Sequence, residues 1–401
     1  MVSASGCYWY LLNILKDKPS EMKANTHFDY IIIGNGLAGL QLALKIASDD
    51  FFSEQQIALI DPSDKTKNDK IWSFWETEPS QWDNLPHKTW KNTRIVTSRK
   101  TIDLSLFPYS YKSIRAIDFY NYAKTELKQH GNIHFIIDEV VSTFESDTVQ
   151  IVAKQGIYTA KHVFDSRLPD TFQQPNNSIS LHQHFKGIVI KTETDVFDEH
   201  TFTMMDYRLK DGEQTTFTYV LPFSKTEALV EFTYFTEALV PETRYNEFIK
   251  TYIKDYLNIE NYSIEASEMG NIPMTTFPFD NYNTAKITKI GTGGGWVKPS
   301  TGYSFKHTEK KVAKIVSNIK AGKPPSQNLF KKKYKFYDKV FLKVLKDNNH
   351  KGEEIFRQFY GKNSTTTMFK FLDEESHFFE ELGIMWSLIS WRFVKAFFKT
   401  L

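Results

Sequence analysis

An apolar run, FDYIIIG, opens the first periodic segment of the chain at Phe28, and the turn GNGLAG and the run LQLALKIASDD follow it directly. A short β-branched run followed by apolar residues at helical spacing predicts a strand that leads into a helix. A second apolar run, QIALID, ends in Asp61. Strand, turn, helix and strand in this order predict a βαβ unit with an acid at the tip of its second strand.

The pattern changes twice farther along the chain. Residues 65–115 form a polar and aromatic excursion with several tryptophans, after which a helix is predicted over roughly residues 118–130. The runs NIHFIID, VQIVAK and KHVFDSR predict strands that return to the first sheet. From Leu181 to Phe235 apolar and polar positions alternate, which predicts an antiparallel sheet. A helix around residues 245–256 and the segment EMGNIPM are predicted to connect it back.

The last part of the chain begins with ITKIGTGGGWVKPSTGYSF, which predicts a strand, a glycine-rich turn and a helix. From Phe305 onward the pattern is helical, with breaks at Lys323, Pro324 and Pro325 and at NNHKG. The predicted organisation is an N-terminal extension, expected to be poorly ordered, over 1–27; the first part of a nucleotide-binding domain over 28–180; a substrate domain, mainly antiparallel sheet, over 181–280; the return segment of the first domain over 281–320; and a helical region over 321–401.

Composition narrows the classes of function. The formal net charge of +2 gives little reason to expect a nucleic-acid partner. The single cysteine, Cys7, excludes an internal disulfide, and no CxxC or HExxH pattern predicts a metal site, so a reducing, cytosol-facing compartment is expected. No run of about 20 uncharged apolar residues predicts a transmembrane helix. The opening segment lacks the basic leader and cleavage site of a secretory signal.

The first glycine turn has the spacing of a dinucleotide-binding loop. Gly34 permits the tight turn, Gly36 lets the backbone approach a pyrophosphate, and Gly39 lets helix and strand pack closely. The N–H groups at the start of the helix would bind the phosphates, and Asp61 would hydrogen-bond the ribose. The motif alone leaves FAD and NAD as alternatives.

A second glycine turn separates FAD from NAD. Gly291, Pro299 and Gly302 have the spacing of a late G-x-x-x-x-x-x-x-P-x-x-G turn. A Rossmann unit with this late turn is similar to the layout of hydroxylase-like FAD enzymes, and the resemblance implies FAD as cofactor. Those enzymes usually carry an aspartate after the first glycine of the turn, where this chain has Thr292. That departure disfavours a routine flavin hydroxylase.

A series of segments extends the resemblance from about residue 28 to the C terminus. In order they are DYIIIGNGLAGLQLA, NDKIWSFWE, FDSR, HQHFKG, MMDYR, FTYVLPFS, ALVEFTYF, EMGNIPM and WVKPSTGYSF. The chain resembles the bacterial lycopene beta-cyclase family. The resemblance implies an α/β fold of hydroxylase-like flavoprotein architecture, with a Rossmann-like FAD-binding domain, an interleaved antiparallel-sheet substrate domain and C-terminal helices.

The resemblance also implies a reaction without net redox change. The psi ends of lycopene, or of another acyclic carotenoid, would close to beta-ionone rings, through gamma-carotene to beta-carotene. Such a reaction needs a proton delivered to the terminal double bond, a stabilised carbocation and removal of a ring proton. Reduced FAD would stabilise the cation, and NADPH or NADH would serve only to reduce FAD. Cyclisation of one end or both, and contact with other carotenoid enzymes, stay open.

Three carboxyl groups are the candidate catalytic acids. Glu231, in ALVEFTYF, matches the first acid of the family's paired-acid segment and is expected on an apolar strand face that raises its pKa. Phe232 stands where the family commonly has a second acid, which puts a two-carboxylate mechanism there in doubt. Asp206, in MMDYR, and Glu76, in WSFWE, match family segments near the flavin or polyene end. The alternatives are an exposed charge for Glu231, a turn-forming role for Asp206 and, for Glu268 as a secondary acid, a structural hydrogen bond.

The C-terminal segment GIMWSLISWRFVKAFF combines apolar residues with a basic edge of Arg392, Lys395 and Lys399, the composition of an interfacial helix. A buried core helix is the alternative. A substrate that resides in the bilayer favours membrane contact, and hence a cytoplasmic protein bound peripherally to the inner face of the membrane. Two other functions compete with the cyclase: a flavin redox enzyme, either a monooxygenase or a polyprenyl reductase, and a non-catalytic carotenoid carrier.

Overall fold

The computed structural model describes the backbone of residues 23–400, and the expectation for residues 1–22 lies outside them. In chain order the strands are β1 (Lys23–Ile33), β2 (Ile57–Asp61), β3 (Ile71–Thr77), β4 (Lys88–Trp90), β5 (Asn92–Val96), β6 (Thr101–Ser105), β7 (Tyr109–Arg115), β8 (Ile133–Ile137), β9 (Val140–Glu145), β10 (Val149–Ala153), β11 (Gly156–Asp165), β12 (Ser180–Lys191), β13 (Thr201–Asp206), β14 (Thr215–Pro222), β15 (Glu227–Thr236), β16 (Ser263–Thr275) and β17 (Ile287–Lys289). The helices are α1 (Leu37–Ala47), α2 (Ala116–Leu127), α3 (Glu242–Asp255), α4 (Phe305–Lys320), α5 (Lys332–Asp347), α6 (Gly352–Lys362), α7 (Thr365–Leu372), α8 (Phe378–Leu388) and α9 (Trp391–Thr400).

The first sheet contains the predicted βαβ unit. Strands β8, β2, β1 and β11 are parallel neighbours in that order, β17 pairs with β11, and β10 and β9 extend the sheet antiparallel. Every residue of β2 is buried, because helices α1, α2 and α4 pack against one face and a second apolar cluster covers the other. β1 begins at Lys23, before the predicted start at Phe28, because its register with β11 extends back to Gly156.

The second sheet has the order β16-β12-β15-β14-β13-β5-β6, and α3 packs on one of its faces. Two segments differ from the sequence prediction. EMGNIPM, predicted as a connection, belongs to the edge strand β16. The excursion over residues 65–115 divides, since β5 pairs with β13 in the second sheet while β3, β7 and β4 form a small antiparallel sheet. Both pairings join residues that are distant in sequence, which local patterns do not report.

The C-terminal helices α5 to α9 cover the other face of the second sheet. Their buried side chains, among them Leu345, Phe356 and Met368, share one apolar cluster with Phe217 and Phe235 of that sheet. The predicted breaks are present, and the tail divides further into α8 and α9 around Ile389. Among the described residues, no helix is long and apolar enough to cross a membrane.

Candidate active site

A cavity of about 510 Å³ lies where the first glycine turn, the second sheet and helices α4 and α6 meet. Gly34, Gly36 and Gly39 line it on one side, and Gly291 and Gly302 line it on another. The fold therefore brings the two predicted cofactor turns to one cavity, although one follows β1 and the other follows β17.

The first turn has the shape that a dinucleotide phosphate group requires. A Cβ added at Gly39 would stand 2.0 Å from the Gly34 carbonyl oxygen, so only glycine allows this approach of helix to strand. Gly34 has a φ of +102°, where a side chain would meet Ser166 Oγ at 2.1 Å. At Gly36 a Cβ would meet nothing within 4 Å. Open space beside that backbone suits a pyrophosphate at the start of α1.

The second turn and the neighbouring strand β12 leave polar atoms without hydrogen-bond partners on the cavity wall. Gly291 and Gly302 have φ values of +58° and +75°, in the left-handed region that favours glycine. Gln183 Oε1, Trp296 Nε1 and Thr301 Oγ1 are buried and have no hydrogen-bond partner within the protein, and all three residues line the cavity. Unpaired buried polar atoms are unfavourable. A polar ligand such as the flavin of FAD fits them.

Two other predicted cofactor residues lie apart from this wall. Asp61 accepts hydrogen bonds from the backbone N–H groups of Asn35, at 2.7 Å, and Ser63, at 2.8 Å, and pairs with Lys65. Its carboxylate therefore holds the glycine turn in place, and its contact with a ribose stays a prediction. Pro299 lines a neighbouring cavity instead.

Glu231 is the predicted acid that faces the cavity. Its side chain is only 8 % exposed and lines the wall together with Leu229 and Phe235 of the same strand face. Thr233 Oγ1 donates a hydrogen bond to Glu231 Oε1 at 2.8 Å. Burial, and secondarily the negative charge of Glu268, raise the pKa of Glu231 to about 8. The carboxyl is therefore protonated at neutral pH.

Glu268 faces the same cavity because of strand register. Gly187, on β12, pairs with Glu231 of β15 on one side and with Glu268 of β16 on the other. Laterally paired residues share a face of the sheet. Gly187 has no side chain between the two acids, and a Cβ there would stand 2.8 Å from Leu229 Cδ1 and 3.3 Å from Glu231 Cβ. The glycine therefore keeps the space between the carboxyls open.

The two acids differ in their surroundings. Burial raises the pKa of Glu268 to about 7, while a hydrogen bond from the Ile71 backbone and the charge of Lys70 act in the opposite direction. The N–H of Ile71 and the charge of Lys70 both favour the ionised form of Glu268, whereas Glu231 accepts only a neutral hydroxyl donor, Thr233. Phe232, which follows Glu231 where the family commonly has a second acid, lies on the opposite face of the sheet, against α3. The second carboxyl comes from another strand.

Asp206 is not brought to this cavity. Its carboxylate is fully buried at the end of β13, where it accepts hydrogen bonds from Arg208 Nε at 3.0 Å and from the Tyr252 hydroxyl at 2.8 Å. Tyr252 belongs to α3, so this carboxylate ties the helix to the sheet. The position supports a structural role in place of the acid–base role considered from the sequence.

Glu76 also lies outside the cavity wall. Trp72 and Ser73 of the same strand line the cavity, but Glu76 does not, and it pairs with Lys112 Nζ at 3.0 Å and Lys306 Nζ at 2.8 Å. Both cations are largely buried, so Glu76 is the shared anion that compensates two charges. It joins the small sheet to α4.

Aromatic residues form much of the remaining wall around Glu231. The hydroxyl of Tyr111 lies 2.7 Å from that of Tyr219 and 3.1 Å from that of Tyr303. Burial raises the pKa of all three hydroxyls well above the ordinary tyrosine value, so they stay neutral. The wall is therefore largely aromatic, and the charged residues on it besides the two acids are Asp69 and Lys70, which form an ion pair.

Solved structures with a similar fold include a flavin-dependent brominase and halogenases in complex with FAD. The chain resembles a geranylgeranyl bacteriochlorophyll reductase-like protein from Thermoplasma acidophilum, with a TM-score of 0.59, 11% identity and coverage of 94% of this chain and 100% of that one. It also resembles halogenase PltM in complex with phloroglucinol and FAD, with a TM-score of 0.56, 11% identity and coverage of 86% and 78%. At this identity the likeness is one of fold alone.

Sequence relatives and a family profile agree with each other. The chain is 23% identical over 295 residues to the lycopene beta-cyclase of Pantoea ananas, covering 70% of this chain and 71% of that protein. It is 26% identical over 313 residues to the chloroplastic lycopene beta cyclase of Nicotiana tabacum, covering 72% of this chain and 59% of that one. The profile of the family described as Lycopene cyclase protein matches residues 29–401. That match covers most of the chain and shows that this protein belongs to the lycopene cyclase family.

Proposed function

We propose that the protein is an FAD-dependent lycopene beta-cyclase that closes the psi ends of lycopene to beta-ionone rings without net redox change. The observation that carries the proposal is Glu231, a buried carboxyl with a raised pKa in an aromatic cavity beside the two glycine turns. An acid that is neutral at physiological pH and sheltered from water suits protonation of a carbon–carbon double bond.

Glu231 is the proton donor in this proposal. Thr233 occupies Oε1, so Oε2 carries the acidic hydrogen. Transfer of this proton to the terminal double bond forms a new C–H bond and leaves a tertiary carbocation. The internal double bond then attacks that carbon and closes the six-membered ring, with the positive charge moved onto the ring.

Glu268 is the proton acceptor. The Ile71 backbone N–H and the charge of Lys70 favour the ionised form of Glu268, so in this proposal it is the ionised member of the pair when Glu231 is protonated. Removal of a ring proton by Glu268 forms the ring double bond. One proton has then left Glu231 and one has arrived at Glu268, and its return across the open space at Gly187 restores the starting state. The product is an isomer of the substrate.

The cavity wall stabilises the cation. The rings of Trp72, Tyr219 and Tyr303 line the space around the acids. Aromatic faces attract cations by roughly 0.5–2 kcal/mol each, depending on desolvation. Bound in its reduced form, with NADPH or NADH as reductant, FAD would add negative charge next to the cation. The glycines of both turns and the unpaired atoms of Gln183 and Thr301 would hold it.

Membrane association at the inner face is part of the proposal. Helices α8 and α9 expose large apolar side chains, with Trp386 76% and Phe398 70% exposed. Lys395 and Lys399 are exposed beside them and would face anionic lipid headgroups. Lycopene resides in the bilayer, so a peripheral enzyme gains its substrate at this surface.

The test is expression in a lycopene-accumulating bacterium, with Glu231→Gln beside the unaltered chain and pigments identified by chromatography and mass. Beta-carotene of unchanged mass, lost in the variant, supports the proposal. Unchanged lycopene from a folded, flavin-loaded protein refutes it and leaves the carotenoid carrier. A hydroxylated or saturated product, with stoichiometric consumption of NADPH, refutes it in favour of a monooxygenase or a polyprenyl reductase.

A further inference from the structure

A second cavity lies inside the C-terminal helices. It has a volume of about 400 Å³ and is enclosed by α5, α6, α7, α8 and α9. Its wall is made almost entirely of aliphatic and aromatic side chains, of which Val340, Phe359 and Leu388 are buried examples. Few polar groups along such a wall could order water. Its chemistry suits an apolar occupant.

The inner end of this cavity meets the active-site cavity. Ser300, Thr301, Phe356 and Tyr360 line both. Phe356 and Tyr360 lie one helical turn apart on the same face of α6. Ser300 and Thr301 belong to the second glycine turn. The polar residues of the helical cavity are concentrated at this end, and the wall becomes apolar toward the other.

The outer end of the cavity reaches the exposed apolar surface. Trp386, Ile389 and Phe398 line the cavity and are also more than half exposed. Continuous apolar surface from the outside of a protein to an internal cavity marks a site for an apolar partner. The exposed Lys395 and Lys399 lie on the same helix as Phe398.

We propose that the helical cavity is a channel that holds the non-reacting part of the polyene, with its mouth at Trp386 and Phe398 and its inner end at Phe356 and Tyr360. The inference rests on the proposed function and extends it to the path of the substrate. A linear polyene is apolar along its whole length, so a chain whose reacting end lies at Glu231 must keep the remainder out of water. The channel offers that environment between the acid and the bilayer.

One consequence concerns the order of the two cyclisations. The reacting end lies at the closed end of the path, and both ends of lycopene must reach the same acid. The chain must therefore withdraw after the first ring forms and return with its other end first. The monocyclic carotenoid is a released intermediate in this scheme, and a second chain of lycopene competes with it for the mouth.

The experiment uses bound polyene as its readout, so that turnover is not needed. Full-length protein carrying Glu231→Gln is purified from lycopene-accumulating cells, and bound polyene is measured by its visible absorption and extracted mass. Val394 lines the channel, and Val394→Trp in the same background would fill it. Val141, an exposed residue on β9 remote from these helices, supplies the matched control Val141→Trp.

The expected result is a loss of bound polyene of at least tenfold in Val394→Trp, with unchanged content in Val141→Trp and unchanged FAD content in both. Ile389→Trp tests the same channel at its mouth. Ile389 is exposed, so the larger side chain does not disturb the packing of the protein core. If both channel variants bind FAD and retain polyene, the channel is refuted. A wild-type protein that returns lycopene unchanged refutes the proposed function, whereas the polyene content of the variants still decides the channel.

Discussion

Replacing Glu268 by glutamine tests the carboxyl pair most directly. The two acids stand on strands separated by one intervening strand, a backbone distance of about 10 Å. At an effective dielectric constant of about 20, a unit charge at that distance changes the energy of a second charge by roughly 1.7 kcal/mol. That energy corresponds to about 1.2 pKa units. Glu268→Gln keeps the size of the side chain and removes the charge.

The sign of the effect follows from the role of Glu231. The proton donor must be protonated, so cyclisation falls as pH rises through its pKa of about 8. Removing a nearby negative charge favours ionisation of Glu231 and lowers that pKa. The alkaline limb of kcat/KM therefore moves about one pH unit toward neutrality. Loss of the proton acceptor also lowers the rate itself, by about 100-fold or more.

The assay is initial beta-carotene formation in liposomes with FAD and NADPH across the neutral and alkaline range. Glu265→Gln is the matched control, because Glu265 is an exposed acid on the same strand and its charge is screened. An alkaline limb that stays in place in Glu268→Gln, at an undiminished rate, would show that Glu231 serves alone as acid and base. If the alkaline limb shifts in Glu268→Gln but the rate is undiminished, the charge of Glu268 raises the pKa of Glu231, but Glu268 is not the proton acceptor.

Three further predictions concern other parts of the structure. The added methyl group of Gly187→Ala would crowd Leu229 and Glu231, and we expect cyclisation to fall at least tenfold while FAD content, measured by absorbance, is kept. Asp206→Asn removes the charge of a buried carboxylate that pairs with the partly exposed Arg208, and should lower the free energy of unfolding by about 2 kcal/mol, seen in chemical denaturation, with the rate per flavin-loaded molecule unchanged. Replacing Lys395 and Lys399 by glutamine should weaken sedimentation with anionic vesicles by about 1 kcal/mol per residue and leave binding to neutral vesicles unaffected.

Local signals were sufficient for the cofactor turns. The order of strand, glycines and helix at Gly34, and the late turn that begins at Gly291, can be recognised within short windows, because the positive φ that each turn requires favours glycine locally. The same holds for Glu231, whose apolar strand face follows from period-2 alternation. These parts of the site required no knowledge of which strands pair.

The matches of Asp206 and Glu76 to family segments carried no information about which way these carboxylates point. Each lies in a segment that contributes other residues to the cavity, Met204 and Met205 in one case and Trp72 in the other. Each carboxylate lies beside basic partners outside the cavity wall, which the tertiary contacts alone specify.

The sequence by itself determined the βαβ unit, the two glycine turns and one buried acid, since each depends on residues close together in the chain. Tertiary structure alone decided that Glu268 lies near Glu231. Their proximity depends on the register of β12 with its two neighbours, β15 and β16, and on the absence of a side chain at Gly187. Tertiary structure also decided that the C-terminal helices would enclose an apolar cavity that meets the active site, because five helices from separate segments must pack before its wall exists.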